Sequence, residues 1–314
     1  MINLWYDERY WNATKYERSV TKQDVDTDAD NSPIPRLVPN PRLTGPEKVV
    51  INTIKLLDLA GVTYTVNENK YRNNLMLQYD NRQAQNHTKL EAESCVIGPQ
   101  VWVFDHNGRY LARNPDCYHK LIAPSKWVSD FFIKKWYLPP SVIGTWAVGI
   151  DEYDNKRDIQ YDCLLYTKRR SAEEVQAAKD FLKKKKLTYK TIEYGLYNEK
   201  EFLELANQAK FCFLVNGTES QGIAVQEIMS LGVPLFVWDL SEWHDMGAQW
   251  VVPASSVPYW DDRCGEKFYT QKSMSRTFTK FNKKLKAGEY DPKSYVKENL
   301  SHEVSAKNLL SLWD

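Results

Sequence analysis

The chain has 314 residues and no stretch approaching the roughly 18 consecutive apolar residues of a membrane-spanning helix. No transmembrane segment is therefore expected. Met1–Tyr10 carries acidic and aromatic side chains where a secretory leader would have a basic start and an apolar run, so no leader is expected either. An excess of either charge is also missing. The 42 Lys+Arg and 41 Asp+Glu leave a formal net charge of +1, which argues against bulk electrostatic capture of nucleic acid or anionic membrane and leaves room only for a local basic groove. Cysteine is sparse. Cys95, Cys117, Cys163, Cys212 and Cys264 are odd in number and contain no Cys-x-x-Cys pair, and Cys163 and Cys212 sit in apolar runs as small hydrophobes. The economical expectation is a reduced, cytoplasmic compartment, in which the sequons at Asn12, Asn86, Asn216 and Asn299 are coincidental.

What is present fits a folded protein. A hydrophobic fraction of 42% and a charged fraction of 26% exclude disorder for most of the chain, and the length favours two domains. The 11 Trp, 19 Tyr and 11 Phe are expected first in cores and interfaces and second as stacking surfaces for sugars or bases.

Short apolar runs alternate with amphipathic stretches. Ile2–Tyr6, Val62–Val66, Val101–Asp105 and Lys120–Ala123 are predicted strands, and Pro46–Ala60 and Ser125–Tyr137 are predicted helices. The segment Pro139–Asp151 looks like a crossover, after which the alternation restarts. Strands Asp162–Tyr166, Phe211–Asn216 and Leu235–Asp239 are separated by helices Ser171–Lys186, Asn198–Gln208 and Glu219–Leu231, and a helical tail is expected over Pro292–Leu312. This pattern predicts βαβ units and an α/β fold of two Rossmann-like, doubly wound domains facing a cleft. The expected boundaries are 1–143 for the first domain, 144–292 for the second and 293–314 for a C-terminal helix that packs back on the first.

The stretch Phe211–Asp239, FCFLVNGTESQGIAVQEIMSLGVPLFVWD, is the most informative. A buried strand, a small-residue turn, a helix closed by Gly232 and Pro234, and a second buried strand form one unit. A helix start near Thr218–Ser220, capped by Thr218 with Gln221 or by Ser220, is predicted. Glu219 and Glu227 have seven residues between them, about 12 Å along a helix. That is too far to share a proton but suits two grips on an extended ligand. The amides of Ser220, Gln221, Gly222 and Ile223 would be donors to an anion between them. Polyol, diphosphate, polyol describes a nucleotide sugar. An isolated pair at this spacing would be two solvated helix glutamates; the buried strand, glycine turn and Gly-x-Pro exit favour function.

On Glu219, Gly222, Glu227, Gly232 and Pro234, the segment resembles the signature of retaining, nucleotide-sugar-dependent glycosyltransferases of the GT-B fold, the large family containing glycogen synthase-like and lipopolysaccharide enzymes. The resemblance implies donor-sugar contact for Glu219 and ribose contact for Glu227. Arg42–Pro46 resembles the family's glycine loop, which gives Gly45 a place near donor phosphate. Ile122–Trp127 resembles its strand-to-helix serine motif, Val148–Asp151 its linker element, and Tyr194–Phe202 its base-holding turn, which gives Tyr194 and Gly195 donor contacts. The family's usual Arg-then-Lys pair on the diphosphate is absent. Lys168, Arg169 and Arg170 are the local candidates to offset the leaving diphosphate, with Lys168 and Arg169 placed among the catalytic residues and Arg170 among the donor-binding ones. His106, after the run VWVFD, is a further catalytic candidate facing the donor sugar.

No metal is expected. The acid-x-acid pattern in Asp26–Asp30 lies in a polar loop, and cations and helix dipoles would serve instead. The implied activity is transfer of a hexosyl or pentosyl group from a nucleotide sugar, UDP- or GDP-linked, to an acceptor hydroxyl with retention and no cofactor. The alternatives are an epimerase or hydrolase of the same fold, a non-catalytic sugar-nucleotide-binding protein, or a modified DNA base as acceptor.

Overall fold

The computed structural model describes residues 1–7, 43–68, 72–101, 106–154, 156–244 and 251–313. Two parallel sheets organise them. The first is built from β1 (Ile2–Trp5), α1 (Gly45–Leu59), β2 (Tyr64–Val66), β3 (Asn74–Gln78), α2 (Asn81–His87), β4 (Cys95–Gln100), α3 (His106–Arg113), β5 (Lys120–Ala123), α4 (Lys126–Trp136) and β6 (Ile143–Thr145). Its strand order is β2-β1-β3-β4-β5-β6. The second is built from β7 (Tyr161–Lys168), α5 (Ala172–Lys184), β8 (Tyr189–Glu193), α6 (Glu199–Gln208), β9 (Ala209–Asn216), α7 (Ile223–Ser230), β10 (Leu235–Trp238), the ribbon β11 (Glu242–His244) and β12 (Val251–Pro253), β13 (Gly265–Phe268) and α8 (Gln271–Ala287). Its order is β13-β10-β9-β7-β8. Helices α9 (Pro292–Leu300) and α10 (His302–Leu310) close the chain.

Alternation along the strands assigns the faces. Cys163, Leu165, Phe211, Phe213, Val215 and Phe236 point to one side of the second sheet, where α5 and α8 cover them with Phe181, Phe278 and Phe281. Leu164, Tyr166, Cys212, Leu214 and Val237 point to the other side. Both faces are buried, so β7 and β9 read as nearly continuous apolar runs, as in other parallel sheets. Many of the phenylalanines are therefore core residues: Phe213–Phe236 and Phe236–Phe268 ring centroids are 4.9 and 4.8 Å apart. All five cysteines are free, and four of them are buried.

In each sheet the chain lays two neighbouring strands and then returns to the far side of the first. The order reverses between β1 and β3, and again between β7 and β9. Connections leaving such a pair diverge and open a crevice at the carboxyl ends of the strands.

Several boundaries differ from the sequence expectation. The first helix starts one residue earlier, at Gly45, because Thr44 and Glu47 form a reciprocal capping box. The helix of the glutamate segment starts at Ile223 and not near Thr218–Ser220, because Gly222 takes a left-handed conformation (φ 85°) and caps it without a side-chain bond. Ser125 does precede α4, yet its hydroxyl makes no capping bond. The tail is two helices, broken where the Ser301 hydroxyl accepts from the Val304 amide. Strands β3, β4, β8 and β13 and helix α8 were not anticipated. The predicted strand Val101–Asp105 falls largely on 102–105, and the Asp26–Asp30 loop and Arg42 on 8–42; these residues lie outside the described set.

Candidate functional site

The reversal between β7 and β9 is where the glutamate segment begins. Lys168 and Asn216, the last residues of the two strands, are register partners. Beyond them the two exits run side by side: the Gly217 amide donates to the Lys168 carbonyl at 2.7 Å, and a Cβ on Gly217 would stand 3.2 Å from that of Arg169. Glu219 is delivered back onto the strand ends. Its Oε1 accepts from Lys168 Nζ at 2.6 Å and from Asn216 Nδ2 at 2.8 Å. The Lys168 ammonium also lies 4.2 Å from the centre of the Tyr194 ring, on the turn after β8. Both members of the ion pair keep a little over a tenth of their side-chain surface exposed.

The three cations at the end of β7 separate. Lys168 reaches Glu219. Arg169 adopts a left-handed backbone (φ 51°), is exposed, and has no hydrogen bond or ion pair among the described residues. Arg170 turns inward. Its guanidinium is bidentate with Glu174, donates to the carbonyls of Asn216 and Trp238 at 3.2 Å each, and packs over the Trp238 ring. Four of its five N–H donors thus tie β7, β9 and β10 together, whereas a donor contact was expected of it.

Past Glu219 the loop is set by contacts on both sides. The Glu219 amide donates to the Ser255 carbonyl, and its own carbonyl accepts from Trp127 Nε1 at 2.8 Å, so the start of α4 beside the first sheet touches the glutamate segment directly. The Tyr259 hydroxyl donates to the Pro124 carbonyl across the same gap. The carboxyl edges of the two sheets therefore face each other. Ser220 is exposed. Gln221 is buried, and its side-chain amide is consumed by the linker: Nε2 donates to the Val148 carbonyl and Oε1 accepts from the Val148 amide. The expected donor contact of Gln221 therefore concerns its backbone amide and not this side chain. Among the described residues no side chain caps this terminus, and the first-turn amides of Ile223, Ala224 and Val225 precede the first intrahelical bond, from the Gln226 amide to the Gly222 carbonyl, beside a positive helix end.

Glu227 lies within α7, nearly buried, and faces a second lysine. Lys48 Nζ from the first turn of α1 donates to its two oxygens at 2.8 and 2.6 Å and lies 2.5 Å from Glu199 Oε2. Burial pushes the Glu227 carboxyl up to about 7, against the pull of Lys48. Burial lowers the Lys48 ammonium, but Glu227 and Glu199 outweigh it and raise it. Each glutamate of the pair thus has its own lysine. The helical spacing of about 12 Å does not describe them, since only the part from Ile223 is helical.

The remaining candidates are more loosely placed. A Cβ at Gly45 would meet nothing within 4 Å, and the α1 terminus beside it is already capped by Thr44 and Glu47. The Gln100 side chain donates to the Pro46 carbonyl, which brings the end of β4 to that turn. His106 opens α3 as an exposed residue and makes no hydrogen bond or ion pair with Lys168, Glu219 or Glu227. Gly195 adopts a positive φ of 96° in the turn that carries Tyr194. Among the described residues no group of three or more His, Cys, Asp or Glu is placed to hold a metal.

Sequence reasoning missed Lys48, Asn216 and Trp127. Asn216 and Trp127 ended or lay within stretches already singled out. Lys48 follows the glycine loop by a turn of helix, but nothing local marks a partner 179 residues away.

No family model matches the chain, and no curated protein matches its sequence. Solved structures do. AviGT4, a glycosyltransferase involved in avilamycin A biosynthesis, superposes with a TM-score of 0.54 at 10% identity over 99% of this chain and 96% of its own. The apo lipopolysaccharide outer core galactosyltransferase WaaB gives 0.54 at 12% identity, over 86% and 95%. A TarM variant of S. aureus in complex with fondaparinux, α-GlcNAc-glycerol and UDP gives 0.50 at 10% identity over 85% of this chain, which spans 59% of that longer one. The chain has the fold of the GT-B glycosyltransferases, two doubly wound parallel α/β sheets with their carboxyl edges face to face.

Proposed function

We propose that this protein transfers a sugar from a UDP- or GDP-linked donor to an acceptor hydroxyl, with retained anomeric configuration and without a metal. The observation that carries the reading is the Glu219 carboxylate, held at 2.6 and 2.8 Å by the ends of β7 and β9 where the strand order reverses, one turn ahead of an uncapped helix terminus. A carboxylate set there can accept two sugar hydroxyls, while the free amides from Ile223 onward and the Arg169 guanidinium receive the diphosphate. An ammonium has three donors, so Lys168 can keep Glu219 and still reach a phosphate oxygen. Positive charge fixed beside the leaving diphosphate acts where charge develops. Glu227 grips the ribose, and Tyr194 and Gly195 border the base. The acceptor enters from the first sheet, past Trp127, and its hydroxyl gives its proton to the departing phosphate on the same face. The likeness to AviGT4 and WaaB, and the UDP in the TarM complex, are consistent with this chemistry.

The test is donor consumption across UDP, GDP and CMP sugars, with and without hydroxyl acceptors including modified DNA, read by mass spectrometry and by NMR of the product anomer. Glu219→Gln should lower turnover by about a hundredfold or more with an unchanged Tm. Normal turnover by that variant sinks the assignment, an inverted product sinks retention, and free sugar or an epimer formed from donor alone replaces transfer with hydrolysis or epimerisation.

A further inference from the structure

Three ionisable groups are packed together between the two sheets. Lys48 comes from α1 of the first, Glu227 and Glu199 from α7 and α6 of the second, and all three contacts are 2.8 Å or shorter. The side chains of Lys48 and Glu227 are each about nine-tenths buried. Stability alone is a poor reason for this arrangement, because well-packed apolar side chains of similar volume commonly hold two surfaces together as well or better. The cluster also carries one more negative charge than positive, so it is incompletely neutralised.

The geometry points to a role in ligand binding, and we infer that Lys48 is a positioning residue of the donor site: reaching over from the first half, it fixes both oxygens of Glu227 and compensates its charge, so that this acid is ready for a ribose only when the two halves are together. The inference rests on the donor-site reading above. A carboxylate oxygen can accept more than one hydrogen bond, so Lys48 and a ribose hydroxyl can share it. The charged and titratable groups around Glu227 are Lys48 of α1, Glu199 of α6, Asp151 and Tyr153 of the linker, and Tyr197 of the turn before α6. Asp151 is itself held by Lys55 and His302, at 2.7 and 2.9 Å. Lys48 is thus the cation that sets the state of Glu227, and Glu199 opposes it.

The sign follows. Glu227 titrates at about 7, so affinity for a ribose that needs the ionised acid rises with pH through that value. Without Lys48 the midpoint moves up; without Glu199 it moves down. The experiment is calorimetric titration of the full chain with UDP and with GDP between pH 5.5 and pH 9, values chosen to span roughly two units about neutrality. Lys48→Gln should bind about fivefold more weakly near neutrality and about tenfold at the acid end, for a one-unit shift, with the difference closing at the alkaline end. Lys48→Arg should follow the parent, and Glu199→Gln should bind more tightly on the acid side. An unmoved midpoint in Lys48→Gln, or tighter binding that shows the lysine to be a competitor, overturns the inference. If Lys48→Gln does not fold, Glu199→Gln decides: a midpoint that stays or rises overturns it equally. A parent protein that binds neither UDP nor GDP at any pH brings down the donor-site reading itself, a result distinct from binding with an unmoved midpoint.

Discussion

Adjacent arginines at the end of β7 have opposite fates, and a single backbone angle separates them. The left-handed turn at Arg169 leaves its side chain on the exposed rim and sends Arg170 inward beneath Trp238. Arg169→Ala should therefore lower kcat/KM by about ten- to a hundredfold, as expected for loss of a charged donor to a phosphate, and leave the melting temperature alone. Arg170→Ala should do the reverse. It removes one donor from each of the Asn216 and Trp238 carbonyls and two from the Glu174 carboxylate, at a cost of about 1–3 kcal/mol in urea unfolding, while donor chemistry at fixed folded fraction persists. At this scale the sequence was informative where a motif was contiguous. Glu219, Gly222 and Glu227 stand out by their spacing, but which of three neighbouring cations stays exposed and which turns inward depends on φ at Arg169. Lys48 depended on an approach between distant segments.

Strands buried on both faces, such as β7 and β9, were legible because they leave long apolar runs. Short or edge strands were not. Tyr189–Glu193 buries only Ile192 fully, so nothing in its composition separates it from a loop. Helix α8 was missed for a related reason: Lys, Ser and Thr dominate it, and only Met274, Phe278 and Phe281 are buried. The tail illustrates the opposite error. Its apolar periodicity reads through Ser301 as though nothing interrupted it, whereas the serine ends α9 and caps α10 in one step. Ser301→Ala should cost about 1 kcal/mol, measurable as a lower urea midpoint with an unchanged m-value.

The two sheets are not independent bodies joined by a tether. One apolar cluster runs from Leu4, Val50 and Leu57 of the first, through Trp146, Val148 and Ile150 of the linker, to Leu214, Ile228 and Val296 of the second, and Leu309 and Leu312 of the tail complete it. The tail is stitched in by polar bonds as well: Trp146 Nε1 donates to the Ser305 carbonyl, and the Ile150 amide to that of Leu300. Truncation after Leu300 should consequently expose α1 and the linker together. The expected outcome is a Tm lowered by well over about 5 °C, since several buried aliphatic side chains are lost at roughly 1.5–3 kcal/mol each, measured by scanning calorimetry. A truncated chain that melts like the parent would show that the tail is dispensable.

Gln221 grips the Val148 peptide by both its N–H and its C=O, much as a neighbouring strand would. The crossover between the two sheets is thereby fastened one residue away from Gly222, so a substitution such as Gln221→Ala should loosen the linker and the amide-rich turn together, read as faster amide exchange at both.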